Sequence, residues 1–266
     1  MATDWIAPDW PAPANVRAVS TTRSGGVSRG PYASFNLGTH VGDDPRAVAE
    51  NRLQLRTELS LSREPHWLAQ VHGAQVTTIG HFDNPLSPTN VGDRVGVRVG
   101  KAAEETTADA AITRSTREVC AIMTADCLPV LLCDRTGKTV AAVHCGWRGL
   151  AAGILENTLA AMRTPPTEIL AWLGPAIGPE AYEVGDEVRA ALTKAHPEAD
   201  QAFEPRAGGK WLCDLCLIAS QRLRRVGITH VYGGGFCTYS DRQRFFSYRR
   251  DGECGRMASL IWLAST

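Results

Sequence analysis

The chain has 266 residues, of which 44% are hydrophobic and 21% are charged, and its formal net charge is zero. This composition is typical of a globular protein, and the balanced charge gives no electrostatic reason to expect a nucleic-acid or anionic-membrane partner. No run of about 20 apolar residues predicts a membrane span, and the N-terminus lacks the basic and apolar regions of a secretory signal. Eight cysteines are too sparse for a disulfide scaffold, so we expect a cytoplasmic protein.

The first third of the chain predicts an irregular lead-in followed by strands and one helix. Residues 1–15 are rich in Pro and Trp, and a glycine-rich loop covers residues 23–31. Apolar side chains at helical spacing predict a helix over 45–59, with Arg52 and Arg56 beside its apolar face. Strands are predicted at 16–22 and within 66–80.

The middle of the chain predicts a long loop, a series of strands and a helix. Residues 81–107 are polar and interrupted by Gly and Pro, which indicates a mobile loop with one short strand. Apolar residues at helical spacing predict a single helix over 149–163, ended by Pro165 and Pro166. Strands are predicted near 109–113, 119–124, 128–134 and 139–145.

The last third predicts a strand, two helices and a terminal hairpin. A strand at 168–173 precedes a rigid Gly-Pro turn, and the hairpin pairs 245–249 with 257–263 through a turn at 251–252. Helices are predicted at 185–196 and 214–226, and a strand at 229–232. Strands and helices mix without strict alternation, so we predict one α/β-mixed (α+β) domain over residues 1–266, with a mostly β core and helices packed outside.

Three residues at predicted strand ends, His72, Cys127 and His144, have side chains that suit a metal ion. Two imidazoles and a thiolate suit zinc, and a catalytic zinc takes three protein ligands with a fourth position open. Their spacing is not that of a local zinc finger. Two ordinary histidines and a buried thiol are the alternative, but strand ends beside Gly, Asp or Arg are where active sites collect on β scaffolds.

Two aspartates lie close in sequence to predicted strand ends. Asp126 precedes Cys127, and Asp109 lies in a Thr-Ala-Asp-Ala segment. A carboxylate can orient a metal-bound histidine, and a turn cap is the alternative role for either residue.

The segment His144-Cys145-Gly146-Trp147-Arg148-Gly149 joins a predicted strand to a predicted helix. Helix N-termini bind anions, glycines permit close backbone approach, and Arg148 would add a bidentate phosphate clamp. Cys145 follows His144 in the strand and should point to the other face, so it is not a predicted ligand.

Two further segments contain cysteines that could form a site. Cys213 and Cys216 form a C-x-x-C, but no second such pair exists, and two thiols on a buried helix face fit better than a redox or zinc pair. The glycines of 233–235, before Cys237, leave room for a ligand or permit a tight turn.

Several motifs together resemble the YfiH family, whose members have been labelled laccase domain-containing proteins, polyphenol oxidases and purine nucleoside phosphorylases. They occur in one order over about residues 16–263. The motifs are Thr22–Ser28, Ser34–Gly38, Asn51-Arg52, Gln70–Gly73, Thr124–Pro129, His144–Gly149, Gly174–Gly178, Cys237-Thr238 and Phe246–Arg250.

The resemblance implies a YfiH-type α/β fold and zinc on His72, Cys127 and His144. It implies phosphorolysis of adenosine, inosine and methylthioadenosine, with adenosine deamination as a side activity. On this hypothesis zinc holds phosphate or water, Asp109 or Asp126 moves a proton during deamination, and the phosphate attacks C1′ of the nucleoside. The residues expected to bind phosphate or substrate are Arg23, Asn36, Arg52, Gln70, Arg148 and Cys237.

Three alternatives remain at this point. A multicopper laccase needs H-x-H pairs, which the seven histidines do not form, although the donor set can hold Cu²⁺. Without a metal, Cys127 and His144 could act as the nucleophile and base of an amide hydrolase, as in peptidoglycan editing. A non-enzymatic binding module with a structural zinc would need a fourth ligand.

Overall fold

The computed structural model describes residues 4–80 and 105–265. The strands are β1 (Val16–Ser20), β2 (Leu68–Ala69), β3 (Val76–Ile79), β4 (Thr106–Thr107), β5 (Ala110–Thr113), β6 (Val119–Thr124), β7 (Leu128–Asp134), β8 (Val140–Cys145), β9 (Ile169–Leu173), β10 (Glu183–Gly185), β11 (Phe203–Arg206), β12 (Lys210–Cys213), β13 (His230–Gly233) and β14 (Met257–Leu263). The α-helices are α1 (Pro45–Glu58), α2 (Trp147–Ala151), α3 (Ile154–Met162), α4 (Asp186–Thr193), α5 (Leu215–Arg225) and α6 (Tyr248–Asp251). Of the predicted loop over 81–107, residues 81–104 lie outside the described residues.

The central layer is a six-stranded mixed sheet in the order β13-β9-β7-β8-β5-β3. Strands β7, β8 and β9 are buried along their whole length. Alternate side chains of β7 enter different cores, because successive residues of a strand point to opposite faces. Val130 and Leu132 pack among residues of α2 to α5, whereas Leu131 packs against the second sheet. Both faces of the central sheet are therefore covered, which explains the uninterrupted apolar runs in the sequence.

The second sheet is antiparallel, in the order β1-β14-β6, and packs on the face of the central sheet opposite the helices. Its outer face is covered by Leu55 of α1 and by Phe35 and Leu37 of the preceding loop, all fully buried. A smaller antiparallel sheet has the order β10-β12-β11, and β2 pairs with β4. The predicted α/β-mixed fold with a mostly β core is confirmed.

Two predicted elements were wrong. The helix expected over 149–163 is divided into α2 and α3 at Gly153, whose φ of +84° lies in the left-handed region that glycine tolerates. The apolar spacing runs across the break because Leu150 and Ile154 pack into the same core. The terminal hairpin does not form, since Ser247 accepts a hydrogen bond from the Arg250 N–H and starts α6.

The strand β14 instead pairs with β1 and β6, which are distant in sequence. Residues 4–15 are irregular as expected, apart from a single bridge between Ile6 and Ser20. Across the described ranges, no helix combines the length and apolar character needed to cross a membrane.

Candidate metal centre

The three candidate ligands lie at one end of the central sheet. His72 lies in the loop between β2 and β3, Cys127 lies between β6 and β7, and His144 is the next-to-last residue of β8. Strand register brings two of them together, because Pro129, two residues after Cys127, pairs with His144. Strand pairing of buried segments thus assembles side chains that are far apart in the chain.

The ligand atoms of His72, Cys127 and His144 all lie within 4.8 Å of one another. The two imidazole rings are 4.7 Å apart between centroids and inclined at 72°. His144 is buried, Cys127 is half-buried and His72 is exposed, so the group opens to solvent on the His72 side. Within the part of the chain that the structure describes, no fourth His, Cys, Asp or Glu joins this group.

Asp109, fully buried before β5, holds two of these three residues in place. Its Oδ1 accepts hydrogen bonds from the His144 Nδ1–H at 2.8 Å and from the His72 backbone N–H at 2.9 Å. Its Oδ2 accepts from the N–H of Gly73 at 2.7 Å and of Val71 at 3.3 Å. Four N–H groups therefore converge on one carboxylate.

These contacts determine which histidine nitrogen can bind a metal. An ionised carboxylate only accepts hydrogen bonds, so Nδ1 of His144 carries a proton and Nε2 is the nitrogen that can bind a metal once it is deprotonated. Burial opposes ionisation, but hydrogen bonds from His144, Gly73 and His72 hold the pKa of the Asp109 carboxyl below its usual value. Because its acceptor positions are occupied, this geometry favours a positioning role for Asp109 over the proton-shuttle role expected from the sequence.

Asp126 holds the loop that carries Cys127. It is 8% exposed, and its φ is +100°. Its Oδ1 accepts the Thr238 hydroxyl at 2.6 Å, and its Oδ2 accepts the Arg249 backbone N–H at 2.6 Å. These bonds favour a role for Asp126 in holding the loop over the proton-shuttle role considered from the sequence.

The Cys127 thiol and the His144 imidazole favour each other's charged forms. Burial by itself would raise the pKa of Cys127, but the charge of His144 and hydrogen bonds from His144 and His72 lower this pKa well below its ordinary value. Conversely, burial would lower the pKa of His144, but Cys127 and Asp109 raise it. A thiolate is the form that binds metals or acts as a nucleophile.

Gly146 brings the main chain directly against the three side chains. A Cβ atom at this position would lie 3.0 Å from the Cys127 Sγ and 3.2 Å from the His72 Cδ2. A Cβ there would press on the sulfur and the imidazole, so glycine permits this close approach.

Arg148 lies in α2, four residues after His144, but not in the geometry expected from the sequence. It is exposed, its guanidinium lies over the Trp147 ring at 4.5 Å, and its side chain makes no hydrogen bond to the described part of the chain. The helix has only five residues, which is too short for the anion-binding N-terminus that the sequence predicted. A phosphate clamp here would depend on the side chain alone.

Arg52 and Gln70 are anchored near the end of β6. The Arg52 Nε donates to the Leu37 carbonyl at 3.0 Å, and its guanidinium lies over the Trp67 ring at 4.2 Å and 3.9 Å from Glu105. Gln70 uses both groups of its amide on the backbone of Met123, with the Nε2–H donating at 2.9 Å and the Oε1 accepting at 2.8 Å. Gln70 therefore supports the loop before His72, with one N–H and one oxygen lone pair of its amide engaged by the Met123 backbone.

Arg23, Asn36 and Cys237 are engaged in local structure. Arg23 donates from its Nε and one terminal nitrogen to the Ala33 carbonyl. Asn36 is fully buried and bonds residues of its own loop and Arg256. The Cys237 Sγ accepts the N–H groups of Gly178 and Ser240. These contacts do not support the substrate-binding roles expected for the three residues.

Cys145, Cys213 and Cys216 lie outside the candidate metal group. Cys145 points away from the metal group into the helix-facing core, as the strand alternation predicts. Cys213 ends β12 and Cys216 lies in α5, with Asp214 between them accepting the Leu217 N–H as helix cap. Burial raises the pKa of each thiol to about 12, as expected for structural cysteines and not for a redox pair.

Two residues near the metal group were missed in the sequence. His40 lies within electrostatic reach of His72, Arg52 and Arg256, and its pKa is lowered first by burial and then by the nearby arginines. Arg256 reaches this loop from the far end of the chain, where its backbone N–H donates to the Asn36 side chain at 2.8 Å. His40 lies two residues after the Ser34–Gly38 motif, and this proximity could have identified it from the sequence. No motif or spacing in the sequence indicates Arg256.

A sequence model of the family described as "Multi-copper polyphenol oxidoreductase laccase" matches residues 17–264. Among curated proteins, the chain is 52% identical to Purine nucleoside phosphorylase PA4543 of Pseudomonas aeruginosa, over 97% of this chain and 98% of that protein. It is 48% identical to Purine nucleoside phosphorylase YfiH of Escherichia coli, with the same coverage.

Solved structures support the same relationship. Neisseria meningitidis protein NMB0706 is 49% identical, with a TM-score of 0.86 over 98% of this chain and all of that chain. YlmD from Geobacillus stearothermophilus is 31% identical, with a TM-score of 0.86 over 100% of this chain and 98% of that chain. The chain therefore belongs to the laccase-like polyphenol oxidoreductase family that includes the YfiH proteins.

Proposed function

We propose that this protein is a zinc-dependent purine nucleoside phosphorylase acting on adenosine, inosine and methylthioadenosine, with adenosine deamination as a side activity. The observation that carries the proposal is the open donor set of His72, Cys127 and His144, oriented by the buried Asp109. The names of relatives that match nearly the whole chain support the nucleoside and phosphate specificity. We place this reaction in the cytoplasm and expect small molecules as its ligands.

The donor set meets the chemical requirements of a catalytic metal site. His144 presents Nε2 because its Nδ1–H is bonded to Asp109, and the Cys127 thiol is biased towards thiolate. Three ligands with one open position are typical of catalytic and not structural zinc. A bound divalent ion would supply a Lewis-acidic positive charge for a phosphate oxygen or a water molecule.

Phosphorolysis requires cationic groups that hold a phosphate next to the sugar. In the proposed reaction a phosphate oxygen forms a bond to C1′ as the bond from C1′ to the purine nitrogen breaks, and the purine takes up a proton. Arg52 is 14% exposed, fixed by the Leu37 carbonyl and only weakly paired with Glu105, so its charge is available to an anion. Arg256 adds positive charge close to Arg52 and His40, and both arginines lower the pKa of His40. We assign Arg148 the role of a mobile phosphate clamp at the exposed edge of the site.

The deaminase activity has less support from the geometry. Deamination of adenosine needs a group that passes a proton to the leaving ammonia. Asp109 and Asp126 are both buried and hydrogen-bonded, so neither is free for this role. In this proposal, solvent at the open side of His72 supplies the proton, which is consistent with a side activity.

One specific observation favours a second candidate, an amide hydrolase. The site contains a possible nucleophile, base and orienting carboxylate in Cys127, His144 and Asp109, respectively. The 2.8 Å hydrogen bond between His144 and Asp109 fixes the imidazole. A tightly bound metal would occupy the thiolate and prevent this chemistry. Copper oxidation is the third candidate, because the same donors bind Cu²⁺.

Product analysis separates these candidates. Adenosine is incubated with zinc-loaded protein, with and without phosphate, and the products are separated by chromatography. The proposal predicts adenine and ribose 1-phosphate only when phosphate is present, and loss of both in Cys127→Ala. The matched control Cys216→Ala, in α5, should behave as the unchanged protein. Intact adenosine in every sample would overturn the proposal and leave the hydrolase and copper oxidation as candidates.

A further inference from the structure

A positive φ angle occurs at one of the three candidate ligands and directly before another. His72 itself has a φ of +59°, and Asp126, directly before Cys127, has a φ of +100°. Non-glycine residues keep a positive φ only when surrounding contacts enforce it. For His72 those contacts come from Asp109. For Asp126, and so for the adjacent Cys127, the contacts must come from other residues.

Asp126 is the centre of that second group. Its carboxylate accepts the Thr238 hydroxyl and the Arg249 backbone N–H, both at 2.6 Å, and its carbonyl accepts the Ile177 N–H at 2.9 Å. Thr238 is fully buried, so its hydroxyl lies in a medium where such a bond is strong. Three separate segments of the chain thus hold one residue adjacent to the metal ligand.

The segment that carries Thr238 is itself held firmly. Arg250 uses one terminal nitrogen on the carbonyls of Thr238 and Tyr239, at 2.8 Å each, and the other on Phe245 at 2.9 Å. Its remaining contacts go to the Asp251 carboxylate. The Thr238 hydroxyl is therefore presented from a fixed backbone.

We propose that Thr238, acting through Asp126, is a positioning residue that sets the direction of the Cys127 sulfur towards the metal. The Thr238 hydroxyl bonds Asp126 and none of the three metal ligands, so its effect passes through the loop conformation. The inference deepens the proposed metal centre and rests on Cys127 being one of its ligands. It does not depend on which reaction the centre performs.

The test uses Co²⁺ as a spectroscopic probe on the full-length, metal-free protein. Thiolate-to-cobalt charge transfer in the near ultraviolet reports the geometry of the Cys127 sulfur directly. Thr238→Val removes the hydroxyl with little change in shape, and Thr238→Ser restores it. The matched control is Thr158→Val, because Thr158 is also fully buried but its hydroxyl bonds only the Ile154 carbonyl of its own helix, at 2.7 Å.

The proposal predicts that Thr238→Val binds Co²⁺ about tenfold more weakly, at the lower end of effects seen for residues that support metal ligands. Its charge-transfer band should weaken or shift, Thr238→Ser should recover both properties, and Thr158→Val should retain both. Equal spectra and affinities for Thr238→Val and the unchanged protein would overturn the inference. So would an equal loss in Thr158→Val, since that would indicate general destabilisation.

If Thr238→Val does not fold, the comparison of Thr238→Ser with the unchanged protein decides, because serine keeps the donor and loses only a methyl group. A perturbed spectrum in folded Thr238→Ser would contradict the inference. The measurement is made without substrate, so an absence of nucleoside phosphorolysis would refute the proposed function and leave this result standing.

Discussion

Replacing Asp109 by Asn tests the way in which the metal centre is organised. The carboxylate accepts four N–H groups at 2.7 to 3.3 Å, two on each oxygen. An amide presents one oxygen and one NH₂ group, so one pair of these donors must face another donor. If the NH₂ faces His144, the imidazole is driven to the tautomer in which Nε2 carries the proton and cannot bind a metal.

Two magnitudes follow from this change. Loss of bonds to a charged, buried acceptor lowers the free energy of unfolding by roughly 2–4 kcal/mol. Loss of the carboxylate behind a histidine ligand lowers metal affinity by about 10- to 100-fold. Zinc affinity is measured by competition with a chromophoric chelator, and stability by urea unfolding of the metal-free protein.

A matched control is Asp134→Asn. Asp134 is also a buried carboxylate, 6% exposed, and its Oδ1 accepts hydrogen bonds from Lys138 and Thr136 at the opposite end of the central sheet. We expect it to lose stability but to keep zinc affinity. Unchanged zinc affinity in Asp109→Asn, together with the expected loss of stability, would refute the tautomer argument.

Three further predictions concern the ligands and their surroundings. Gly146→Ala should weaken zinc binding about tenfold, because the added Cβ would lie 3.0 Å from the Cys127 Sγ. Gly235→Ala should leave zinc binding unchanged, because no atom lies within 4 Å of a Cβ at that position. Competition titration measures the zinc affinity of both variants. Arg148→Ala should raise the KM for phosphate about tenfold by removing a charged donor, as measured by steady-state kinetics. An unchanged KM would contradict the role of Arg148 as a phosphate clamp, as would an equal change in the control variant Arg224→Ala, which also replaces an exposed arginine. Cys127→Ser should abolish stoichiometric zinc, as measured by elemental analysis after desalting, and retained zinc would exclude the sulfur as a ligand.

The sequence predicted the framework and the donor set because both depend on local patterns. The apolar runs of β7 and β8 are unbroken since both faces of the central sheet are covered. His72, Cys127 and His144 were recognised at strand ends, and those ends meet in space. The metal they bind is not determined by these patterns.

The roles of polar side chains were harder to predict, because residue type does not show where a donor or acceptor is used. The sequence predicts that Gln70 binds substrate, but its amide donates to and accepts from the Met123 backbone. Asp109 lies 35 residues from His144, so only strand pairing reveals that it orients this ligand. Arg256 reaches Asn36 across 220 residues, a contact that no local pattern indicates.

Zinc titration into metal-free protein, followed by adenine release from adenosine and phosphate, tests most directly whether the reaction depends on this centre. The account predicts that activity rises linearly and stops rising at one zinc per chain, and that Cys127→Ser shows no rise. Full phosphorolysis in protein shown by elemental analysis to lack metal would contradict the account. Undiminished zinc-dependent activity in Cys127→Ser would contradict it as well, by placing the reaction outside the group formed by His72, Cys127 and His144.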